Sequence, residues 1–459
     1  MAEHIIGLIS DIQPSSNEAE NPSRIVALSR RRSILDALAT VLVHRESKET
    51  IAVGLRIAPD NSIILSIANN DGAIEQTTIE HARQIWRHLN HLAMGCGSHS
   101  KTSTSDPDGS SLKEIQDFKR CNYEYSFKKL MARFRKGRQP YERYESLSSV
   151  LSQVENQHSH KSLEKHLGSI IAFLSIFFRI INAHNGQFPD DEFKAFCLAL
   201  EGATDAIHAI FYDEESVKRM KIIDQDMDFQ LVRFLQKISS IAQSVKVLLK
   251  AVHTPWIRHH FFSGQQLVID TVTNEEQTLD LPRTVDEYRS LAQAVLKTYG
   301  HRLPEYEGKP SEQVMQANIQ SPKIRVHCEC ALLLHLIKED HSQQGNHYRT
   351  LASIGCSKLA CLPCWYFFQS VKNCMNLNFY VRGTNGKVHY PWKFPDVHAI
   401  CAEKEQACAV QGIFADLINC RYKDLVLERQ AAMPRLDSDA AMLHSEDYYM
   451  AELRKLGVL

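Results

Sequence analysis

Two short motifs in the last third of the chain combine residue types that can bind a metal and move a proton. The first contains His327 and Glu329, and the second contains Cys361 and Cys364. A catalytic zinc site typically has three nitrogen or sulfur ligands and an open fourth position, where water is activated at neutral pH. The motifs therefore predict that the histidine and both cysteines bind Zn²⁺ and that Glu329 is the catalytic proton shuttle.

The elements around these motifs must place them at one site. Within a helix, His327 and Glu329 would point in different directions, so they can share a site only at a helix start. Cys361 and Cys364 are three residues apart and share one helix face, and Pro363 between them is tolerated only in a first turn. The positive end of that helix also favours thiolates. The spacing thus predicts two helix starts that meet at the metal.

A His-x-Glu motif followed by Cys-x-x-Cys is typical of zinc-dependent deaminases of nucleobases. A rival metal site would use Cys328 and Cys330 with Cys361 and Cys364, and four thiolates would leave no position for water. In a further alternative the cysteines bind no metal and are buried apolar residues. We favour the catalytic site over both, because paired Cys-x-Cys ligands are less usual.

The region around the motifs resembles the OTT-type deaminase-like family of the cytidine-deaminase-like superfamily, a family that is largely fungal. The resemblance covers about residues 323–392. Its matching blocks are 327–333, 354–365 and 382–387, followed by Trp392. The resemblance implies hydrolysis of the amino group of a cytosine- or adenine-type base, in a nucleotide or a single-stranded nucleic acid.

The resemblance also implies substrate contacts, and the sequence departs from the family pattern at two positions. Ser357, Trp365 and Asn385 are the candidates in this part of the chain. Trp365 could equally be a core residue, and Asn385 could equally form a plain turn with the glycine that follows it. Ala360 stands where the superfamily usually has proline, and Asn385 stands where histidine is expected. Neither departure removes a predicted ligand.

The superfamily fold is a three-layer α/β/α domain that begins with a helix and a two-stranded hairpin before the His-x-Glu helix. No such hairpin directly precedes His327. A helix over residues 29–45 and a hairpin over residues 50–67 are predicted near the N-terminus, from helical and alternating apolar patterns. The hairpin ends close to Asn69 and Asn70, which resemble the substrate-contacting asparagine of the superfamily.

We therefore expect an α/β catalytic domain that is split by, or appended to, a large α-helical region. Residues 1–70 would form its first part, and residues 323–459 its zinc-binding part with a C-terminal helix. Residues 71–322 would be a mostly helical insertion or accessory domain, with a mobile loop near 95–111 and a polar connector over 304–322. The large insertion favours a macromolecular substrate or a protein partner.

The charge balance excludes a generally basic protein. The chain has 53 lysines and arginines against 54 aspartates and glutamates, so any nucleic-acid surface must be local. Residues 128–143 mix basic and aromatic side chains and could bind a phosphate backbone. We favour a solvated helix face with ordinary core aromatics, because glutamates dilute the charge.

The N-terminus has no signal-peptide pattern, and no apolar run is long enough to span a membrane. The most apolar run, residues 170–178, is well short of the ~20 residues that a spanning helix needs. Nine of the 12 cysteines fall between Cys328 and Cys420, which favours reduced thiols and metal binding over a disulfide framework. We expect a cytoplasmic or nuclear protein without membrane contact.

A different class of function is also open. The helical region could bind a protein partner while the deaminase-like part is a non-enzymatic scaffold with a structural zinc site, because a fold alone does not establish activity.

Overall fold

The computed structural model describes most of the chain in separate stretches. These are residues 2–12, 34–47, 49–97, 109–135, 161–183, 187–225, 231–262, 265–278, 281–302, 314–315, 323–342, 348–377 and 379–432. Almost all of the connector expected over 304–322 lies outside them. Of the mobile loop expected near 95–111, residues 98–108 lie outside the described stretches; on either side, one helix continues to Gly97 and the next begins at Gly109.

The described part of the first 70 residues forms two helices and a hairpin. Helix α1 spans Ala2–Ile12, helix α2 spans Ile34–Val41, strand β1 spans Ile51–Ile57 and strand β2 spans Ile63–Asn69. The strands pair antiparallel along their whole length, so the predicted hairpin is present. Helix α1 was not predicted; it buries four apolar side chains at positions 5, 6, 8 and 9.

The middle of the chain is mainly helical, as predicted. Its helices are α3 (Gln76–Gly97), α4 (Gly109–Tyr125), α5 (Phe127–Arg135), α6 (Lys161–Ala183), α7 (Asp190–Tyr212), α8 (Glu214–Gln225) and α9 (Leu231–His253). A short helical turn, Pro255–Ile257, and a π-helix, Arg258–Phe262, follow. Then come β3 (Leu267–Val272), β4 (Gln277–Thr278) and α10 (Val285–Thr298). Within the described residues, no helix is long and apolar enough to cross a membrane.

The last part alternates strands and helices. The elements are β5 (Lys323–Ile324), α11 (Cys328–Ser342), β6 (Arg349–Thr350), β7 (Ser353–Cys356), α12 (Leu362–Met375), β8 (Tyr380–Val381), a 3₁₀ turn (Val397–Ala399) and α13 (Lys404–Ala432). Both predicted motif helices therefore form, and α13 is the long helix near the C-terminus that the sequence predicts.

One mixed sheet joins distant parts of the chain. Its strand order is β3-β2-β1-β7-β8, and β6 also pairs with β1. Strand β1 is antiparallel to β7, with Ala52 opposite Cys356 and Val53 opposite Gly355. Strand β3, from the region expected to be an insertion, runs parallel to β2 at the sheet edge. The N-terminal hairpin thus lies between the two flanking strands of the later chain.

Helices cover both faces of this sheet. Ile51, Val53 and Leu55 belong to the apolar core that includes the middle helices, whereas Ala52, from the opposite face of β1, belongs to the core around α11, α12 and α13. Gly54 also faces α11, and a Cβ added there would lie 2.7 Å from Leu336 Cδ1. The chain is a mixed α/β protein in which the hairpin separates two cores.

Candidate metal centre

Four side chains from the two predicted motifs lie together. One ligand atom from each of His327, Glu329, Cys361 and Cys364 lies within 4.8 Å of the others. His327 Nδ1 is 3.4 Å from Cys361 Sγ and 3.2 Å from Cys364 Sγ, and the two sulfurs are 3.2 Å apart. One nitrogen and two sulfurs at this separation suit a single zinc ion.

Two helix starts bring these groups together. The carbonyl of His327 accepts hydrogen bonds from the amides of Cys330 and Ala331, which form the first turn of α11. Cys361 is the N-cap residue of α12, and proline lies in that helix's first turn. Each histidine or cysteine at these positions can lean past a helix end toward the other motif. The local geometry agrees with that expected from the spacing.

Three of the four side chains of this site are buried, and His327 is partly buried. Glu329 is 5% exposed, Cys361 2% and Cys364 0%. Burial raises the pKa of both thiols well above their ordinary range. Burial opposes protonation of His327, but its hydrogen bond with Cys361 and the nearby charges raise its pKa overall. A bound cation would stabilise the two thiolates, which the buried surroundings otherwise disfavour.

Cys328 and Cys330 are not part of this four-residue group. Cys328 Sγ donates instead to Glu329 Oε2 at 3.4 Å. Both thiols are fully buried, and burial raises their pKa values, that of Cys330 to about 12. Cys330 does share a hydrogen bond with Cys364. The four ligand atoms that lie within 4.8 Å of one another nevertheless belong to the histidine, the carboxylate and two cysteines, not to the four cysteines of the rival site.

Asn70 connects the N-terminal hairpin to the site. Its Oδ1 accepts a hydrogen bond of 2.8 Å from the amide of Cys328, next to His327. Asn69 is occupied in the turn after β2: its Oδ1 accepts from the amide of Asp71, and its Nδ2 donates to the carbonyl of Ala73. Of the two candidate asparagines, Asn70 is the one that contacts the motif helix.

The other substrate candidates occupy different surroundings. Ser357 Oγ accepts from the amide of Ile51 at 3.0 Å, so it fastens the end of β7 to β1. Trp365 is partly buried against the core around α12 and α13. Asn385 lines a large cavity next to the site, and its backbone amide donates to the carbonyl of Ala360. Ser357 lines the same cavity, whereas Trp365 does not.

Two residues near the site were missed by sequence reasoning. Trp392 is fully buried and its Nε1 donates to Cys364 Sγ at 3.2 Å. His389 Nε2 lies 3.3 Å from Asn385 Nδ2, and burial together with the positive charges of His327 and Lys358 lowers its pKa. The available signal was their position: Trp392 follows the third block of the family resemblance, and His389 lies between that block and Trp392.

A mixed sheet with helices on both faces and a buried His-Glu-Cys-Cys set at two helix starts has the residue types of a zinc-type deaminase. Residues 326–396 match the family model of the OTT_1508-like deaminases. This match confirms the predicted resemblance to an OTT-type deaminase family for that segment. No curated protein and no solved structure was found to match the chain.

Proposed function

We propose that the chain is a zinc-dependent hydrolytic deaminase that acts on a cytosine- or adenine-type base of a nucleotide or nucleic acid. The observation that supports this most strongly is the buried group of one imidazole, two thiols and one carboxylate within 4.8 Å. The match of residues 326–396 to a deaminase family model supports the same reaction class.

His327, Cys361 and Cys364 would bind the metal. Bound zinc would supply a Lewis acid that makes water nucleophilic at neutral pH. The two cysteines are buried and His327 is partly buried, which limits competing water, and the hydrogen bond from Trp392 orients one of the sulfurs. The residues present therefore fit the metal that the family implies.

Glu329 would move the proton. Its carboxylate is buried, and one of its oxygens accepts a hydrogen bond from Cys328 Sγ, which holds the group in place. It would take a proton from the attacking water and deliver it to the departing amine, so that the ring carbon gains a C–O bond, loses its C–N bond and releases ammonia. A carboxylate held by a neighbour but not required as a ligand suits this role.

We propose further that the catalytic domain is built from both ends of the chain, residues 1–70 and 323–459, with residues 71–322 inserted between them. The pairing of β1 with β7 and the hydrogen bond between Asn70 and Cys328 support this division. The insertion is not separate from the sheet, because it contributes the edge strand β3.

Metal analysis combined with a deamination assay tests the proposal. We expect about one zinc per chain and release of ammonia from cytidine, adenosine or single-stranded nucleic acid. Chelation should abolish turnover and added zinc should restore it. Stoichiometric zinc without turnover on any of these substrates would contradict the proposal and would favour a scaffold protein.

A further inference from the structure

A large cavity lies between the middle helices and the candidate metal centre. Its volume is about 1460 Å³, and α5, α7 and α9 form one side of it. The other side includes residues 357–359 and the loop that contains Asn385, Lys387 and His389. These two segments flank Cys361, since Leu362 N donates to Lys387 O at 2.8 Å. The cavity therefore adjoins the metal centre through the residues on either side of a proposed ligand.

The cavity is strongly basic although the whole chain has a net charge of −1. Among the described residues that line it, nine are lysine or arginine and two, Glu46 and Asp205, are acidic. The basic residues are Lys129, Arg133, Arg233, Lys237, Lys246, Lys250, Lys358, Arg382 and Lys387. A concentration of one charge sign in a concave, partly buried surface attracts and holds the opposite charge. We call this site the basic cavity.

Three cations of the cavity, Lys129, Arg133 and Lys358, lie close enough to repel one another. Burial and the charges of Lys358 and Arg133 lower the pKa of Lys129 to about 8. Lys129 Nζ donates to the carbonyl oxygen of Glu46, and Lys358 Nζ donates to Thr50 Oγ1. These acceptors are neutral oxygens, and the buried carboxylate of Glu49 offsets the positive charges only in part. An anion between these side chains would relieve the repulsion.

The length of the row of cations on α9 distinguishes between possible anionic ligands. Arg233, Lys237, Lys246 and Lys250 all line the basic cavity from α9, and the first and last of them are separated by about 25 Å along the helix axis. A single nucleotide is much shorter than this row. The volume also exceeds the ~300–1,000 Å³ of ordinary small-molecule sites. Both dimensions suit several consecutive phosphates.

The basic cavity is also lined by an exposed aromatic side chain. Tyr212, at the end of α7, is 70% exposed and lines the basic cavity beside Phe211. Exposed rings next to cations are typical of proteins that bind single strands, where bases stack on the rings and phosphates contact the cations.

We infer that the basic cavity binds the phosphates of a single-stranded nucleic acid while one base of that strand enters the metal centre. The strand would run along α9, and residues 71–322 would supply most of the contacts to its backbone. The assignment of the base to the metal centre rests on the proposed deaminase function, whereas phosphate binding by the cavity does not.

A matched pair of double variants tests this inference in the full-length, zinc-loaded protein. The test variant is Lys246→Gln/Lys250→Gln, which removes two cations from the basic cavity, of which Lys246 also forms an ion pair with Asp205. The control is Lys161→Gln/Lys165→Gln, with the same spacing, on α6, whose lysines are exposed and do not line the cavity. The probe is a fluorescently labelled single-stranded oligonucleotide of about ten nucleotides, titrated by anisotropy between about 50 and 200 mM salt.

We expect the test variant to bind the oligonucleotide about tenfold more weakly and the control to bind it as the parent does. The slope of log affinity against log salt should fall by about 0.7–1.4 in magnitude for the test variant, since each lost phosphate contact removes about 0.7 for a single strand and Lys246 is shared with Asp205. Equal binding by both double variants would overturn the inference. Cytidine monophosphate that binds as tightly as the oligonucleotide would also overturn it.

Turnover of unphosphorylated cytidine separates this inference from the deaminase proposal. If the parent deaminates nothing but still binds the oligonucleotide with the stated dependence on Lys246 and Lys250, the deaminase proposal fails and the binding inference stands.

Discussion

The indole of Trp392 contacts one of the proposed metal ligands. It is fully buried, stacks on Phe414, and donates from Nε1 to Cys364 Sγ. Hydrogen bonds to a ligand sulfur orient it and adjust its basicity, and their loss typically costs 10–100-fold in metal affinity. Trp392 thus belongs to the shell that supports the metal centre.

We expect Trp392→Phe to weaken zinc binding by about 10-fold or more while the fold is retained, because the N–H donor is lost and a smaller aromatic ring still packs beside Phe414. Competition with a chelator of known affinity measures this. Trp256→Phe is the control, since Trp256 is 60% exposed and belongs to the short helical turn after α9. Unchanged zinc affinity in Trp392→Phe would contradict the role of the indole.

The sequence predicted the site residues whose separation along the chain is typical of a metal motif. It did not predict site residues that have no such fixed separation. His327, Glu329, Cys361 and Cys364 stand at separations that only helix starts can use, so their proximity could be predicted. Trp392 is 28 residues from Cys364, and no periodicity relates them. The contact depends on how the chain returns after β8, which the sequence does not state.

Asn70 shows how one element positions another. Its side chain accepts from the amide of Cys328, one of the donors that the first turn of α11 leaves without a helical partner. The hairpin thereby caps the helix whose start contains His327.

Replacement of Asn70 by alanine should lower the free energy of unfolding by about 1 kcal/mol, the usual cost of a lost cap. Denaturant unfolding monitored by circular dichroism measures the change. Asn70→Asp should retain most of the stability, since a carboxylate still accepts the bond and its charge is favourable at a helix N-terminus. If the alanine and aspartate variants lose equal stability, the cap is not the cause.

A second link between elements is electrostatic. Asp270 on β3 accepts hydrogen bonds from Arg56 on β1, Ser66 on β2 and His335 on α11. The hydrogen bond from His335 lowers the pKa of Asp270 below its ordinary value of 3.8, with further contributions from Ser66 and Arg56. The network joins three strands to the motif helix.

We expect this network to make stability depend on acid pH. Because the pKa of Asp270 is lower in the folded state than in the unfolded state, its contribution is complete above the ordinary value of 3.8 and is lost as pH falls through the lowered value. Denaturant unfolding of the parent and Asp270→Asn at several pH values measures the effect. The variant should be less stable at neutral pH, and its difference from the parent should shrink below pH 3.8; a constant difference would contradict this account.

The periodicity of the sequence predicted the helices and strands better than it predicted which of them pair or pack together. The hairpin over 50–67 and the helices that begin near His327 and Cys361 could be predicted, because alternation and helix-start signals are local. The parallel pairing of β3 with β2 could not be predicted, because it depends on a connection of nearly 200 residues. Gly355 is a further example: a Cβ there would lie 2.1 Å from the Leu35 carbonyl carbon, a requirement visible only once α2 packs on β7.

At the scale of the whole molecule, the sheet is assembled from three distant segments. Strand β7 pairs with β1 on one side and with β8 on the other, so the segment that carries the metal motifs has an unpaired sheet edge without the N-terminal hairpin. Unpaired strand edges and exposed apolar faces destabilise an isolated segment.

We therefore expect residues 323–459 to be unfolded or aggregated when produced alone. Co-expression with residues 1–322 should recover a soluble complex that binds zinc. Circular dichroism and metal analysis of both preparations measure this. A monomeric, cooperatively folded fragment 323–459 with stoichiometric zinc would contradict the proposal of a domain built from both ends of the chain.

The basic cavity could not be predicted from the sequence, because its cations come from α5, α9 and two loops that meet only in the tertiary structure. The interpretation of residues 128–143 as a solvated helix face is wrong for Lys129, which is 6% exposed and lines the cavity. Residues 136–143 lie outside the described residues. The physical reason is that helix α5 packs against the long helices and turns this lysine inward.

The central claim is that Glu329 moves a proton beside a metal bound by His327, Cys361 and Cys364. The most direct test is the turnover and zinc content of Glu329→Gln, with Glu405→Gln on the exposed start of α13 as the control. We expect the variant to keep the zinc of the parent and to lose deamination by a factor of at least about 100, the usual contribution of a general acid-base group. Parental turnover in the zinc-loaded variant would contradict the account.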